Sequence, residues 1–274
     1  LVEGLLELYD AGILHRRVVD DAALQRAIDD EGLGYEVDLE TVDFLVSEGV
    51  ISTRLSRADV AHLRDIGVLR TDVAFLEGRG ELRIDGESVP ADLTVDETRE
   101  RLAERGLGDT LNTHVVHAAF FVGSPDFYDT LRDFDDRDRR KVAMTTVTST
   151  NLLTGGEQLK RAQRRHGRYC NEAMKVTALG AVVSDGLANG RVVSGVGGQY
   201  EFVAMAHELD EARSLIMLPS TRGKGDDAES NIVFNYGHTT IPRHLRDIVI
   251  TEYGVADLRG KSDEEVVRSM IEIA

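Results

Sequence analysis

The chain has 274 residues, 42% hydrophobic and 30% charged, enough to bury one large core or two smaller ones, which excludes a disordered tail or a disulfide-held miniprotein. Its formal net charge of -17 repels phosphate backbones and anionic headgroups, so neither nucleic acid nor a membrane surface is expected as a partner. The single Cys170 cannot close an internal disulfide, no basic-then-apolar signal opens the chain, and no apolar run nears the roughly 20 residues that cross a bilayer, so a cytoplasmic protein is expected.

In chain order, Leu1, Val2, Leu5, Leu6, Leu8 and Tyr9 recur at helical spacing and predict a helix over residues 1–11. That pattern is already under way at a first residue that is not Met. The far end stops at Ala274 without a helix-terminating residue, so the sequence is expected to be a fragment of a longer protein. Helices follow at 22–30 and, behind an Asp38 cap, at 39–48. Residues 72–89 predict strands turning at 77–80 and 85–86, and Thr94 with Glu97 caps a helix ending near Gly106. Together these make a small α+β insert over residues 52–110.

From Thr113 onward, short apolar runs separated by Gly, Asp and Asn predict buried strands at 114–122, 142–147, 176–183, 191–193, 214–218 and 248–251. Helices at 127–134 and 200–207 lie between them, and Ser262 with Glu265 forms a capping box for a last helix bearing Val266, Val267, Met270, Ile271 and Ile273. The alternation predicts an α/β layered domain. The acidic run 133–138 reads as a solvated helix end or loop.

The densest glycine cluster is Ser194-Gly195-Val196-Gly197-Gly198-Gln199, after an expected strand and before an expected helix. Without Cβ atoms the backbone N–H groups can approach a ligand oxygen, and a helix N-terminus adds partial positive charge. Such a turn suits a phosphate or a developing oxyanion, and serves equally as a plain connection. A second loop, Pro219-Ser220-Thr221-Arg222-Gly223-Lys224-Gly225, sets two cations in an acidic chain. Arg222 and Lys224 can meet cofactor phosphates or sit on a solvated turn. His238 and His244 lack Cys or carboxylate partners at a zinc-like spacing, so no metal is expected. A dinucleotide site is set aside because Gly195-Val196-Gly197-Gly198 lacks the G-x-G-x-x-G spacing.

The segment Val249-Ile250-Thr251-Glu252-Tyr253-Gly254-Val255-Ala256-Asp257-Leu258-Arg259-Gly260-Lys261 follows the GVGGQ cluster and the LPST loop in order. In these three motifs the chain resembles the acetyl-CoA hydrolase/transferase family, in its C-terminal half, over most of the sequence after Phe120. The resemblance implies a layered CoA-transferase-like fold of the NagB/RpiA kind, with a helical N-terminal segment and the insert at 52–110. It implies that residues 1–274 are a C-terminal CoA-transferase or acetyl-CoA hydrolase domain whose N-terminal half is missing.

The implied activity is movement of CoA from an acyl-CoA to a small carboxylic acid through a glutamyl-CoA thioester, with hydrolysis, or silent CoA binding by the fragment, as alternatives. Acyl-CoA is then substrate and no tightly bound cofactor is expected; a homo-oligomer is possible. The resemblance makes Gly197 and Gly198 oxyanion donors, Asn171 an amide orienting the catalytic carboxylate, and Gly195, Arg222 and Lys224 contacts to CoA. It aligns Val2 to Gly12 with the helix that trails the family's nucleophilic glutamate, which therefore falls upstream of Leu1. Glu3 is read as a helix-start carboxylate, Cys170 as a small buried residue, and Glu252 as a chiefly structural carboxylate bordering the site.

Overall fold

The computed structural model describes residues 3–274, so the part of the opening pattern carried by Leu1 and Val2 lies outside the described residues, while the helix itself runs Glu3–Asp10. The molecule is a mixed α/β protein with several small sheets, in two units. One takes the described residues up to Thr150 with Gly156–Gln163, the other Asn151–Gly155 with Arg164–Ala274.

In the first unit the helix starts are fixed by side chains that satisfy otherwise unpaired N–H groups. The Asp21 carboxylate accepts the Ala23 and Leu24 N–H groups at 2.9 Å each and opens the Ala22–Asp29 helix. Asp38 with Thr41 closes a capping box on Leu39–Ser47, and Ser56 with Asp59 does the same for Arg57–Asp65. An antiparallel meander then runs Ala74–Leu76, Glu81–Ile84, Glu87–Pro90. Its second turn is made by Asp85 and Gly86 at φ 48 and 85°, which fits the mirror-image hairpin turn. The α+β character expected of 52–110 is present, but these residues have no core of their own. Leu63, Leu82, Ile84 and Leu102 pack into one cluster with Leu24, Val42 and Leu45 of the preceding helices.

Two of the expected buried strands are corrected. The runs at 114–122 and 142–147 yield only Val116–Ala118 and Val142–Met144, paired in parallel. Phe120 and Val122, like Met144 and Val147, are at least half exposed. Two three-residue strands have no further neighbour to extend the ladder, so side chains beyond the pairing turn out toward solvent.

In the second unit the central strand Arg213–Met217 lies between Arg168–Glu172 and Ile248–Thr251, parallel to both, with Gly254–Asp257 antiparallel at the edge. Parallel neighbours require a crossover, and the helix Gln199–Glu208 supplies it between Arg168–Glu172 and Arg213–Met217, packing on both. The helix Asp263–Glu272, started by the expected Ser262–Glu265 capping box, lays Val266 and Met270 into the core with Ile216, Val249 and Leu258. A second small sheet centres on Lys175–Thr177, parallel to Ile232–Val233 and antiparallel to Val182–Val183. The strand expected at 191–193 is absent: Val192 makes a single bridge to Gly186 and is 64% exposed. Flanked by Asn189-Gly190 and Ser194-Gly195, three residues do not hold a ladder.

Candidate functional site

Three parallel strands of the second unit end together in chain direction, at Glu172, Met217 and Thr251. Open parallel sheets take ligands beyond these carboxyl ends, and the motif residues lie just past them.

The glycine turn enters from an exposed loop rather than from a buried strand, which corrects one premise of its reading. Its own geometry is definite. Gly197 takes φ +62°, a left-handed conformation that side chains disfavour. Gly198 opens the Gln199–Glu208 helix with no side-chain cap. Among the described residues, the N–H groups of Gly195, Gly197 and Gly198 donate no hydrogen bond. A Cβ on Gly198 would stand 2.6 Å from Asn151 Nδ2 and 3.0 Å from the Phe202 ring, whereas one on Gly195 or Gly197 would meet open space. Two contacts dock this helix start on the strand that carries Asn171. Buried Gln199 donates through Nε2 to the Glu172 carbonyl at 2.8 Å, and Phe202 stacks on Tyr169 with ring centroids 6.0 Å apart.

Asn171 lies on the Arg168–Glu172 strand, which the sequence reading did not foresee. Its Nδ2 is buried without a hydrogen-bond partner, as is Gln199 Oε1. Ser184 Oγ, Ser214 Oγ and Asp247 Oδ1 are among the other buried side-chain atoms in the same condition, each at a cost in folding free energy. Cys170, expected buried, is exposed on the same strand. The alternation along a strand turns it away from its neighbours' face. Partial desolvation pushes its thiol pKa up, the wrong direction for a nucleophile.

The LPST loop is clasped at this end of the sheet. Fully buried Ser220 donates from N and Oγ to the Glu252 carboxylate at 2.7 and 2.8 Å. Those bonds, the Ser220 N–H first, hold Glu252 below the usual carboxylate range. A carboxylate so stabilised is a poor base, and Glu252 acts as a fastener for the loop. Asn231 donates to the Pro219 carbonyl at 2.9 Å and Lys175 to the Ser230 carbonyl at 3.0 Å, both from buried positions. Ser220, Asn231, Lys175 and Gln199 escaped the sequence reading. Only Ser220 and Gln199 carried a signal, by standing inside the motifs.

The structure does not bring every candidate onto this cluster. Arg222 and Lys224 are exposed, Arg222 on a two-residue hairpin strand paired with Glu229–Ser230 and Lys224 at its tip. Glu3 accepts the Ser124 N–H at 2.9 Å, in the other unit. His238 donates through Nε2 to the Asp185 carboxylate at 2.9 Å and its ring covers Gly186. No group of three His, Cys, Asp or Glu among the described residues could hold a metal ion. Likewise, no described helix is long and apolar enough to cross a membrane.

Residues 123–274 match the family model for the acetyl-CoA hydrolase/transferase C-terminal domain. A 4-hydroxybutyrate coenzyme A transferase of Clostridium kluyveri is 36% identical over 105 residues, 38% of this chain and 24% of that protein. A probable butyrate:acetyl-CoA coenzyme A-transferase of Syntrophomonas wolfei is 33% identical over 107 residues, again 38% of this chain and 24% of the relative. The crystal structure of RipA from Yersinia pestis aligns at 28% identity over 58% of this chain and 33% of its own, with a TM-score of 0.48. The chain thus spans about a quarter of the length of these curated relatives.

Proposed function

The chain belongs to the acetyl-CoA hydrolase/transferase family through its C-terminal domain, and from that premise we propose that it forms the oxyanion-stabilising half of a CoA-transferase site. The proposed reaction moves CoA from an acyl-CoA to a small carboxylic acid. A glutamate carboxylate attacks the thioester carbonyl and expels CoA thiolate, leaving an acyl-glutamyl anhydride; the thiolate then attacks the glutamyl carbonyl and releases the first carboxylic acid, and the second carboxylic acid resolves the resulting glutamyl-CoA thioester by the same two steps in reverse. A carboxylate is a weak nucleophile at neutral pH, so the negative charge developing on the carbonyl oxygen must be met by fixed donors. The observation that supports this role is the uncapped helix start at Gly198, with undonated N–H groups at Gly197 and Gly198, docked through Gln199 beside the unpartnered amide of Asn171.

In this reading the Gly197 and Gly198 N–H groups take the oxyanion and the helix dipole adds to their field. The Asn171 amide orients the attacking carboxylate, which stands on a segment preceding Leu1. Gly195, Arg222 and Lys224 take the CoA moiety, the two exposed cations meeting its phosphates. The sheet beneath is the layered NagB/RpiA-like core. Because transfer and hydrolysis differ only in the acceptor that reaches the acyl-enzyme, the test supplies both. Acetyl-CoA is incubated with a chain extended upstream through the glutamate segment, with and without butyrate or succinate. Formation of the new acyl-CoA in preference to free CoA supports transfer. Release of free CoA alone, at the same rate with and without acceptor, favours hydrolysis and overturns the transferase reading.

A further inference from the structure

Outside the motifs, the first unit holds a cleft of about 520 Å³ whose lining includes Arg17, Arg137, Arg139, Arg140 and Lys141. In a chain with 49 carboxylates against 32 Lys and Arg, such a concentration of cations runs against the composition. Lys141 is engaged by Asp138 and the Tyr9 hydroxyl. The four arginines are different. None makes an ion pair among the described residues, although carboxylates outnumber cations across the whole surface.

Two of the four are nonetheless held in place by neutral groups. The Arg17 guanidinium lies 3.8 Å from the Tyr35 ring centroid, and that tyrosine donates back to the Arg17 carbonyl at 3.1 Å. Arg139 donates to the Arg132 carbonyl at 3.1 Å. The backbone at Arg140 is fixed through its carbonyl, hydrogen-bonded to His114 Nδ1 at 2.9 Å. A guanidinium held by a ring or a carbonyl, as in Arg17 and Arg139, is left without a carboxylate partner, which is what recognition of an anion requires.

We infer that this cleft binds a nucleoside diphosphate group, free or as part of a larger molecule. Four exposed arginines from two chain segments line the cleft, and guanidinium groups, each able to take two parallel N–H···O bonds, suit more than one phosphate. The volume falls within the range of sites for small organic ligands, well beyond what one phosphate fills. Asp65, also in the lining, is suited to accept from a ribose hydroxyl and would repel a phosphate.

Calorimetric titration of the 274-residue chain with ADP, and separately with adenosine and CoA, tests this without reference to any transfer activity. ADP should bind and adenosine should not, with affinity falling as salt rises. R137Q/R140Q should weaken ADP at least tenfold, whereas R137K/R140K, which keeps charge but loses the fork, should weaken it less. Equal thermal midpoints for the three chains establish that folding is unaffected. If CoA binding falls with that of ADP, the nucleotide end of CoA is the source and the assignment of its phosphates to Arg222 and Lys224 fails; if it is retained, a free nucleotide is the source. No ADP binding in the unmodified chain, or an ADP affinity equal in all three, would overturn the assignment.

Discussion

Ser220 gives both of its donors to a single acceptor, Glu252, and so ties the loop after the central strand to the loop after its neighbour. Because the folded-state pKa of Glu252 lies below its ordinary value of 4.5, the folded chain binds fewer protons there than the unfolded one. Its stabilising contribution is therefore complete above pH 4.5 and is lost as pH falls through the folded pKa. Urea midpoints between pH 3 and 7 should show E252Q less stable than the parent at pH 7, with the difference shrinking toward pH 3. A difference independent of pH would mean that the carboxylate charge is not what holds the loop. Asn171 makes the opposite case. Its amide Nδ2 has no partner to lose, so Asn171→Ala should leave the thermal midpoint nearly unchanged. In an active, extended chain the same change should lower turnover on the order of a hundredfold, the scale of a lost charge-stabilising donor of about 3 kcal/mol. A fall in stability with turnover intact would return Asn171 to a purely structural role. The two glycines are unequal probes: a side chain at 198 runs into Asn151, while at 197 it meets open space and costs only the left-handed backbone strain of about 1–2 kcal/mol.

Among the elements, those with explicit punctuation are legible in the sequence. Asp38 caps Leu39–Ser47, Ser262 with Glu265 opens Asp263–Glu272, and the turn at Asp85-Gly86 closes its hairpin, because each rests on a local hydrogen bond or a local φ. Ser262→Ala should accordingly cost about 1 kcal/mol, read as a lower urea midpoint, with E265Q closer to the parent since Gln can close the same box. No change with Ser262→Ala would show that packing of Val266 and Met270 alone sets the helix. The strand Arg168–Glu172 was not legible: Arg168, Asn171 and Glu172 give it a polar texture, and it is a strand because Arg213–Met217 offers a parallel partner. The converse failure is the apolar stretch at 191–193, which has no such partner. For the same reason the glycine turn and Asn171 were individually visible as motif residues, while their connection through Gln199 and Glu172 depends on tertiary packing.

For the whole molecule, the two units carry separate cores, one built on Leu24, Leu45, Leu82 and Ile84, the other on Val176, Ile216, Val249 and Met270. Leu82→Ala should cost about 2–5 kcal/mol, the range for truncating a fully buried leucine. Amide exchange should accelerate around Leu45 and Leu63 and stay unchanged at Ile216 and Val249; acceleration in both would show one cooperative core. The candidate oxyanion site lies wholly in the second unit, yet the chemistry proposed for it requires a carboxylate from a preceding segment. Intact-mass analysis after incubation with acetyl-CoA and reduction with borohydride reads that requirement directly, since a glutamyl thioester is reduced to an alcohol. The 274-residue chain should show no modification, and the extended chain should be modified at one glutamate upstream of Leu1. Modification of Glu3, Glu172 or Glu252 in the 274-residue chain, or none in an extended chain that turns over, would contradict this division of the site.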